Sequence, residues 1–324
     1  MSDQLHMTQE KQVAVVTGSS SGIGFETCLT MARNGYNTYA TMRKIEGKTN
    51  QITDIAKNEN LPLKVLQLDV DNDKSVLDAI NRIVTEYGSI DVIVNNAGYA
   101  LVGALEQTSM EEIKAQFETN FFGAVRVMQA VIPAMREQRS GKIINITSIG
   151  GRIAIPLDSI YHATKFALEG LSESIQYELE PFGIKVILVE PGAVGSNFWK
   201  NWMMAAKASS SDDNNTNSQY KQIQNNMLGS FKQMEQNAIH PSEVANVILQ
   251  AVKDDNPDFR YVVGKDAATI LETRKKMSDR EFQNFFKKQL ICKILVTSLS
   301  STAATECLPF GSNAFYNICY MGSR

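Results

Sequence analysis

The run Val13-Ala14-Val15-Val16 leads directly into Thr17-Gly18-Ser19-Ser20-Ser21-Gly22-Ile23-Gly24, and the apolar residues of 25–34 then recur at helical spacing until Gly35. β-branched residues favour a strand, glycines a turn where the backbone must approach something closely, and the periodic stretch a helix. Such a strand, turn and helix present free backbone N–H groups and the positive end of a helix dipole at the turn, a combination that attracts a pyrophosphate. Gly18, Ser20, Gly22, Ile23 and Gly24 are therefore candidate cofactor-binding residues. No Lys-Ser/Thr pair follows the glycines, so the turn is not a P-loop and nucleotide hydrolysis is disfavoured. A glycine turn serving tight packing alone is the competing reading.

The alternation continues along the chain. Strand-like runs at 37–41, 64–68, 92–94, 142–146, 185–189 and 261–263 are separated by helical patterns at 50–58, 73–87, 109–136, 160–180 and 241–252. Helices of this length between strands require right-handed crossovers and a parallel sheet covered on both faces, so an α/β doubly wound sheet is expected. With 324 residues, 43% of them hydrophobic, the chain can fill one large core. Residues 1–10 read as an N-terminal arm, 11–289 as a single catalytic domain and 290–324 as an extension of unknown role. Within the domain, 193–240 reads as a mobile substrate loop, because 205–226 is dominated by Ser, Asn, Asp and Gln.

Several partners are disfavoured. The net charge is −3 with Lys and Arg scattered, which gives no field for nucleic acid. No apolar run is long enough to span a membrane and the first residues lack the plan of a signal peptide, so a soluble cytoplasmic protein is expected. Cys28, Cys292, Cys307 and Cys319 show no ligand spacing, and no metal is expected. His162 would point about 100° away from its neighbour Tyr161 on a helix, suggesting a partly exposed, chemically idle side chain.

Tyr161 and Lys165 stand four apart, and Ser148 precedes the tyrosine by 13 positions. On a helix, residues i and i+4 share a face, so a phenol and an ammonium would enter one pocket. A nearby positive charge is expected to lower the phenol below its ordinary value near ~10, making it a usable acid at neutral pH. At the end of the second strand, where an acid would accept ribose hydroxyls, stand Met42 and then Arg43, whose planar fork suits a 2′-phosphate. NADP(H) is thus favoured over NAD(H), with a solvated Arg43 and a ribose contact from Glu46 as the alternatives.

These motifs together resemble the short-chain dehydrogenase/reductase family over roughly 11–265, with Tyr39-Ala40-Thr41-Met42-Arg43 similar to its hydroxysteroid and retinol type. The resemblance implies a Rossmann-type fold in which Asp69 contacts adenine and Asn96, Ala97 and Gly98, in Asn95-Asn96-Ala97-Gly98, close the cofactor site. It also places Pro191 and Gly192 against the nicotinamide and assigns the carboxamide to Ser196, where the family often has Thr. Asn120, Ser148, Tyr161 and Lys165 would form the catalytic tetrad, with Tyr161 as acid/base, Ser148 steadying the substrate oxygen, Lys165 also binding the nicotinamide ribose and Asn120 holding a water. The implied activity is NADP(H)-dependent interconversion of a carbonyl and an alcohol on a small molecule, in a homodimer or homotetramer paired through 109–136 and 160–180. A dinucleotide sensor without turnover is the alternative.

Overall fold

The computed structural model describes residues 12–45, 47, 50–196, 202–209 and 215–288; the arm 1–10, Glu46 and the extension 290–324 lie outside the described residues. Seven strands form one parallel sheet: β1 (Val13–Val16), β2 (Asn37–Met42), β3 (Leu63–Gln67), β4 (Val92–Asn95), β6 (Gly141–Ile146), β7 (Ile184–Pro191) and β9 (Arg260–Val263). Their order is β3-β2-β1-β4-β6-β7-β9. β5 (Leu101–Val102) and β8 (Met203–Met204) form a separate parallel pair.

Alternate residues of each strand face opposite sides, and both sides are dry. Val13, Val15, Ile93 and Ile143 pack with Ile80 and Ile83 of α3 (Asp73–Tyr87), Val127 and Val131 of α5 (Gly123–Gln138) and Leu168 of α6 (Ser159–Leu179). Ala14, Val16, Val94 and Ile144 pack with Leu29 and Met31 of α1 (Gly22–Arg33) and with Val244 and Ile248 of α8 (Pro241–Lys253). This two-sided burial is why the strands read as continuous apolar runs. The chain builds β1, β2 and β3 outward and then returns to the other side of β1 for β4, pairing Val16 with Val94. The reversal opens a crevice at the carboxyl ends of β1 and β4, the usual ligand position of open α/β sheets.

Two stretches differ from the pattern expected of the sequence. The single helix expected over 109–136 is divided into α4 (Met110–Phe117), a π-helical segment Glu118–Phe122, and α5. The polar stretch 205–226, where no helix or strand is expected from the sequence, contains a helical turn at Ala206–Ser209 and most of α7 (Asn215–Gln236). Met227 and Phe231 of α7 are buried against Val102, Ala104 and Leu157, with Trp202 and Phe231 rings 5.1 Å apart. β8 holds the stretch to the body through Met203 N–H to Ala100 O and Ala205 N–H to Val102 O, at 2.8 and 2.9 Å. Two further helices, α9 (Lys265–Lys276) and α10 (Asp279–Phe286), follow β9 and pack Ile270, Leu271 and Phe282 on Ile153. Among the described residues no helix is long and apolar enough to cross a membrane.

Candidate active site

Gly18 and Gly22 have φ of +68° and +61°, values that strain any other residue. Space is as restrictive as conformation. A Cβ at Gly18 would lie 2.8 Å from Ala97 Cα, one at Gly22 2.9 Å from Ser196 Cβ, and one at Gly24 2.6 Å from Gly18 O. The β4 loop is fastened to this turn: Thr17 Oγ1 accepts the N–H groups of Asn96 and Ala97 at 3.0 and 3.1 Å, and Asn96 Nδ2 donates to Thr17 O at 2.9 Å. α1 starts at Gly22 with no side-chain cap from Ser21 and no acid in its first turn. Its first N–H groups therefore lack a side-chain acceptor, and the glycines leave backbone bare beside them, so the residues fit a pyrophosphate. Ser20, Gly22, Ile23, Arg43, Asp69, Asn96, Ala97, Gly98, Pro191, Gly192 and Ser196 all line one cleft of about 1950 Å³.

The catalytic candidates meet in that cleft. Ser148 follows β6 as the cap of a short 3₁₀ turn, its Oγ accepting the Gly150 N–H at 3.0 Å, donating weakly to Pro191 O at 3.5 Å and bonding the Tyr161 hydroxyl. Lys165 Nζ lies 5.6 Å from the Tyr161 ring centre and donates to Ile146 O at 2.8 Å. The two side chains face the same way, as one helical turn requires. Burial pushes the Lys165 ammonium down to about 8, against the pull of the Glu169 carboxylate. The Tyr161 hydroxyl departs from expectation: burial pushes it well above its ordinary value, although the Ser148 hydrogen bond acts the other way and Asp158 adds to the rise. Loss of solvent sets the direction of the shift.

Asn120 lies in the π-helical segment, 2% exposed. Its Oδ1 accepts the Tyr99 N–H at 3.0 Å, and its Nδ2 donates to Tyr99 O at 2.9 Å and to Thr164 Oγ1 at 3.2 Å. The asparagine thus joins the β4 loop to α6 one residue before Lys165. His162 is buried rather than partly exposed, because it packs under the Ser148 turn: Nδ1 faces Gly150 O at 2.8 Å and Nε2 accepts the Ile155 N–H at 3.1 Å. At the rim, Met42 is buried at the end of β2 while Arg43 is exposed, and Asp69 follows β3. Among the described residues no group of side chains could hold a metal ion.

Two residues of the cleft were not anticipated. Asp266, at the start of α9, accepts the Ala193 N–H on Oδ2 at 2.8 Å and fills the space beside Gly192, gripping the loop after β7. Asp158 stands at the entrance to α6. The lone signal for either was an acid beside a helix start, which many surface positions share.

A doubly wound sheet with a glycine turn at its reversal point and a Ser, Tyr and Lys cluster beside it defines a dinucleotide-dependent oxidoreductase. The chain belongs to the short chain dehydrogenase family, whose sequence model matches residues 12–207. It is 39% identical over 256 residues to a 3-ketodihydrosphingosine reductase of Bacteroides thetaiotaomicron, covering 79% of this chain and 88% of that one. It is 35% identical over 260 residues to retinol dehydrogenase 8 of Bos taurus, covering 78% and 82%. A metagenomic short-chain oxidoreductase solved in complex with NADP superposes with a TM-score of 0.61 at 25% identity, covering 78% and 96%. The chain is accordingly an oxidoreductase of CH–OH donors that uses a nicotinamide dinucleotide.

Proposed function

We propose that the chain is an NADP(H)-dependent reductase of ketones carried on large apolar molecules, with Tyr161 as the proton donor. The convergence of Ser148, Tyr161 and Lys165 in the cleft that the glycine turn opens carries this reading. When bound, the dinucleotide supplies the hydride. The substrate oxygen is held between the Ser148 and Tyr161 hydroxyls, donors fixed in place before negative charge develops on it. Tyr161 gives up its proton there, and the Lys165 ammonium stabilises the phenolate left behind. Asn120 and Asp266 position α6 and the loop after β7. Val102, Ile155, Trp202, Phe231, Met234 and Phe286 make the substrate side of the cleft apolar, and the relatives named for ketodihydrosphingosine and retinol agree with such a wall.

Arg43, with no carboxylate at the end of β2, favours the 2′-phosphate. Phe122, Phe166 and Tyr177, 47%, 46% and 67% exposed on the π-helical segment and α6, support association through these helices. The test is Tyr161→Phe, which keeps shape and removes the proton. Against a panel of long-chain, steroid and retinoid carbonyls, its kcat should fall about 10²- to 10⁴-fold with NADPH affinity unchanged. Full turnover by the variant would refute the assignment, and NADPH binding by the wild type with no turnover on any carbonyl would favour a sensor.

A further inference from the structure

Asp158 lines the same cleft as Tyr161 and is the residue at which α6 begins. An aspartate in that position ordinarily accepts an N–H from the first turn of its helix. This one makes no such bond. It is 8% exposed, its Oδ1 has no hydrogen-bond partner among the described residues, and Oδ2 has only His162 Nε2, 3.9 Å away. The imidazole is no donor to it. Nδ1 faces a carbonyl and so carries the ring hydrogen, which leaves Nε2 as an acceptor already engaged by the Ile155 N–H. Burial alone pushes the carboxyl up to about 7. Oδ1 is closed off as well as unpartnered, so Oδ2 is the oxygen whose hydrogen-bonding capacity is open to a ligand.

The spacing says which part of a ligand would reach it. Asp158 precedes Tyr161 by three positions, one turn along the same face, and its charge is felt at the Tyr161 hydroxyl. Given the reading of this cleft as a carbonyl-reducing site, on which this step rests, the substrate oxygen is held at Tyr161. Substituents on the carbon next to the carbonyl then lie nearest to Asp158. We propose that Asp158 is a specificity-determining residue that accepts a hydrogen bond from a donor group, hydroxyl or ammonium, on that neighbouring carbon. The preferred substrates are therefore α-hydroxy or α-amino ketones on a long apolar chain. Ketones lacking the donor leave the buried carboxyl unpaired and are turned over more slowly, the asymmetry by which hydrogen-bonding sites reject such analogues.

The test compares 2-dodecanone, 1-hydroxy-2-dodecanone and 1-amino-2-dodecanone with NADPH and the full chain. The wild type should prefer one or both donor-bearing ketones by about 10- to 100-fold in kcat/KM, the range for a hydrogen bond to a charged group. In Asp158→Leu that ratio should collapse toward one. Asp158→Asn keeps the shape and an acceptor oxygen, so a preference that survives in it identifies the hydroxyl and one that is lost identifies the ammonium. Equal kcat/KM for all three ketones in the wild type overturns the proposal. So does a Leu variant that slows all three in proportion, the signature of a purely structural helix entrance. If none is turned over, quenching of bound-NADPH fluorescence by each ketone reports the same preference independently of catalysis. Equal binding of the three, or none, then counts against the role of Asp158, whereas preferential binding without turnover counts against the reductase reading.

Discussion

Tyr161 and Lys165 illustrate how one site can be arranged correctly by local geometry and charged differently from expectation by packing. The helix alone places the pair on one face, but burial raises the phenol and lowers the ammonium to about 8. In this state the phenol keeps its proton at neutral pH, as the proposed reduction requires. Arg43 makes the sharper prediction at this scale. Its side chain is exposed at the rim and no acid stands at the end of β2, so Arg43→Ala should weaken NADPH by about 10- to 100-fold, the worth of a charge-assisted phosphate contact, and barely affect NADH. Fluorescence titration of both cofactors measures this. An equal loss for the two would exclude a 2′-phosphate contact.

At the scale of elements, the π-helical segment carries Asn120 inward, where the side chain satisfies both backbone groups of Tyr99 and reaches Thr164. Inserted wide turns recur at functional sites for this reason. Asn120→Leu fills the same space but strands the Tyr99 N–H, while Tyr99 O keeps the Gln116 amide. The expected loss is about 1–3 kcal/mol by urea unfolding, with kcat/KM falling as the β4 loop loosens. Stability equal to wild type would mean that the Tyr99 N–H finds another partner. The sequence could not reveal the segment, because one extra residue in a turn barely disturbs apolar periodicity over 109–136. The α7 helix was more legible than it seemed: Tyr220, Ile223, Met227, Phe231 and Met234 recur at three- and four-residue steps. Their signal was masked by the Asn, Gln and Ser between them. The glycine turn, the strands and the Ser, Tyr and Lys cluster were readable because each depends on residues near one another in the chain.

Across the whole molecule, the back of the site is held by charges that no local pattern announces. Arg260 of β9 bonds Glu169 of α6 at 3.2 Å across 91 positions of sequence, reaches Glu173 at 2.8 Å and lies 3.2 Å from Glu190 of β7. Arg152, just beyond the Ser148 turn, pairs with Glu190 from the other side at 3.0 Å. The segments that carry Ser148, Lys165 and the Pro191-Gly192 loop are thereby joined behind the cleft. Glu190 is wholly buried and Glu169 nearly so, and burial already raises the Glu169 carboxyl above its usual range. Arg260→Leu removes the shared cation. Glu190 keeps Arg152, whereas Glu169 loses the donor to its Oε2 and its buried Oε1 has no hydrogen-bond partner among the described residues, so the variant should lose about 3–5 kcal/mol at pH 8. A carboxyl whose folded-state value lies above its unfolded one binds more protons when folded, so its penalty grows as pH rises through that interval and fades as pH falls. Urea unfolding should therefore find a smaller deficit at pH 5 than at pH 8, and Glu169→Leu added to Arg260→Leu should recover part of it. An equal deficit at both pH values would mean that Arg260 acts through its guanidinium on the Phe259 ring, whose centre lies 4.6 Å away, rather than through the carboxylates.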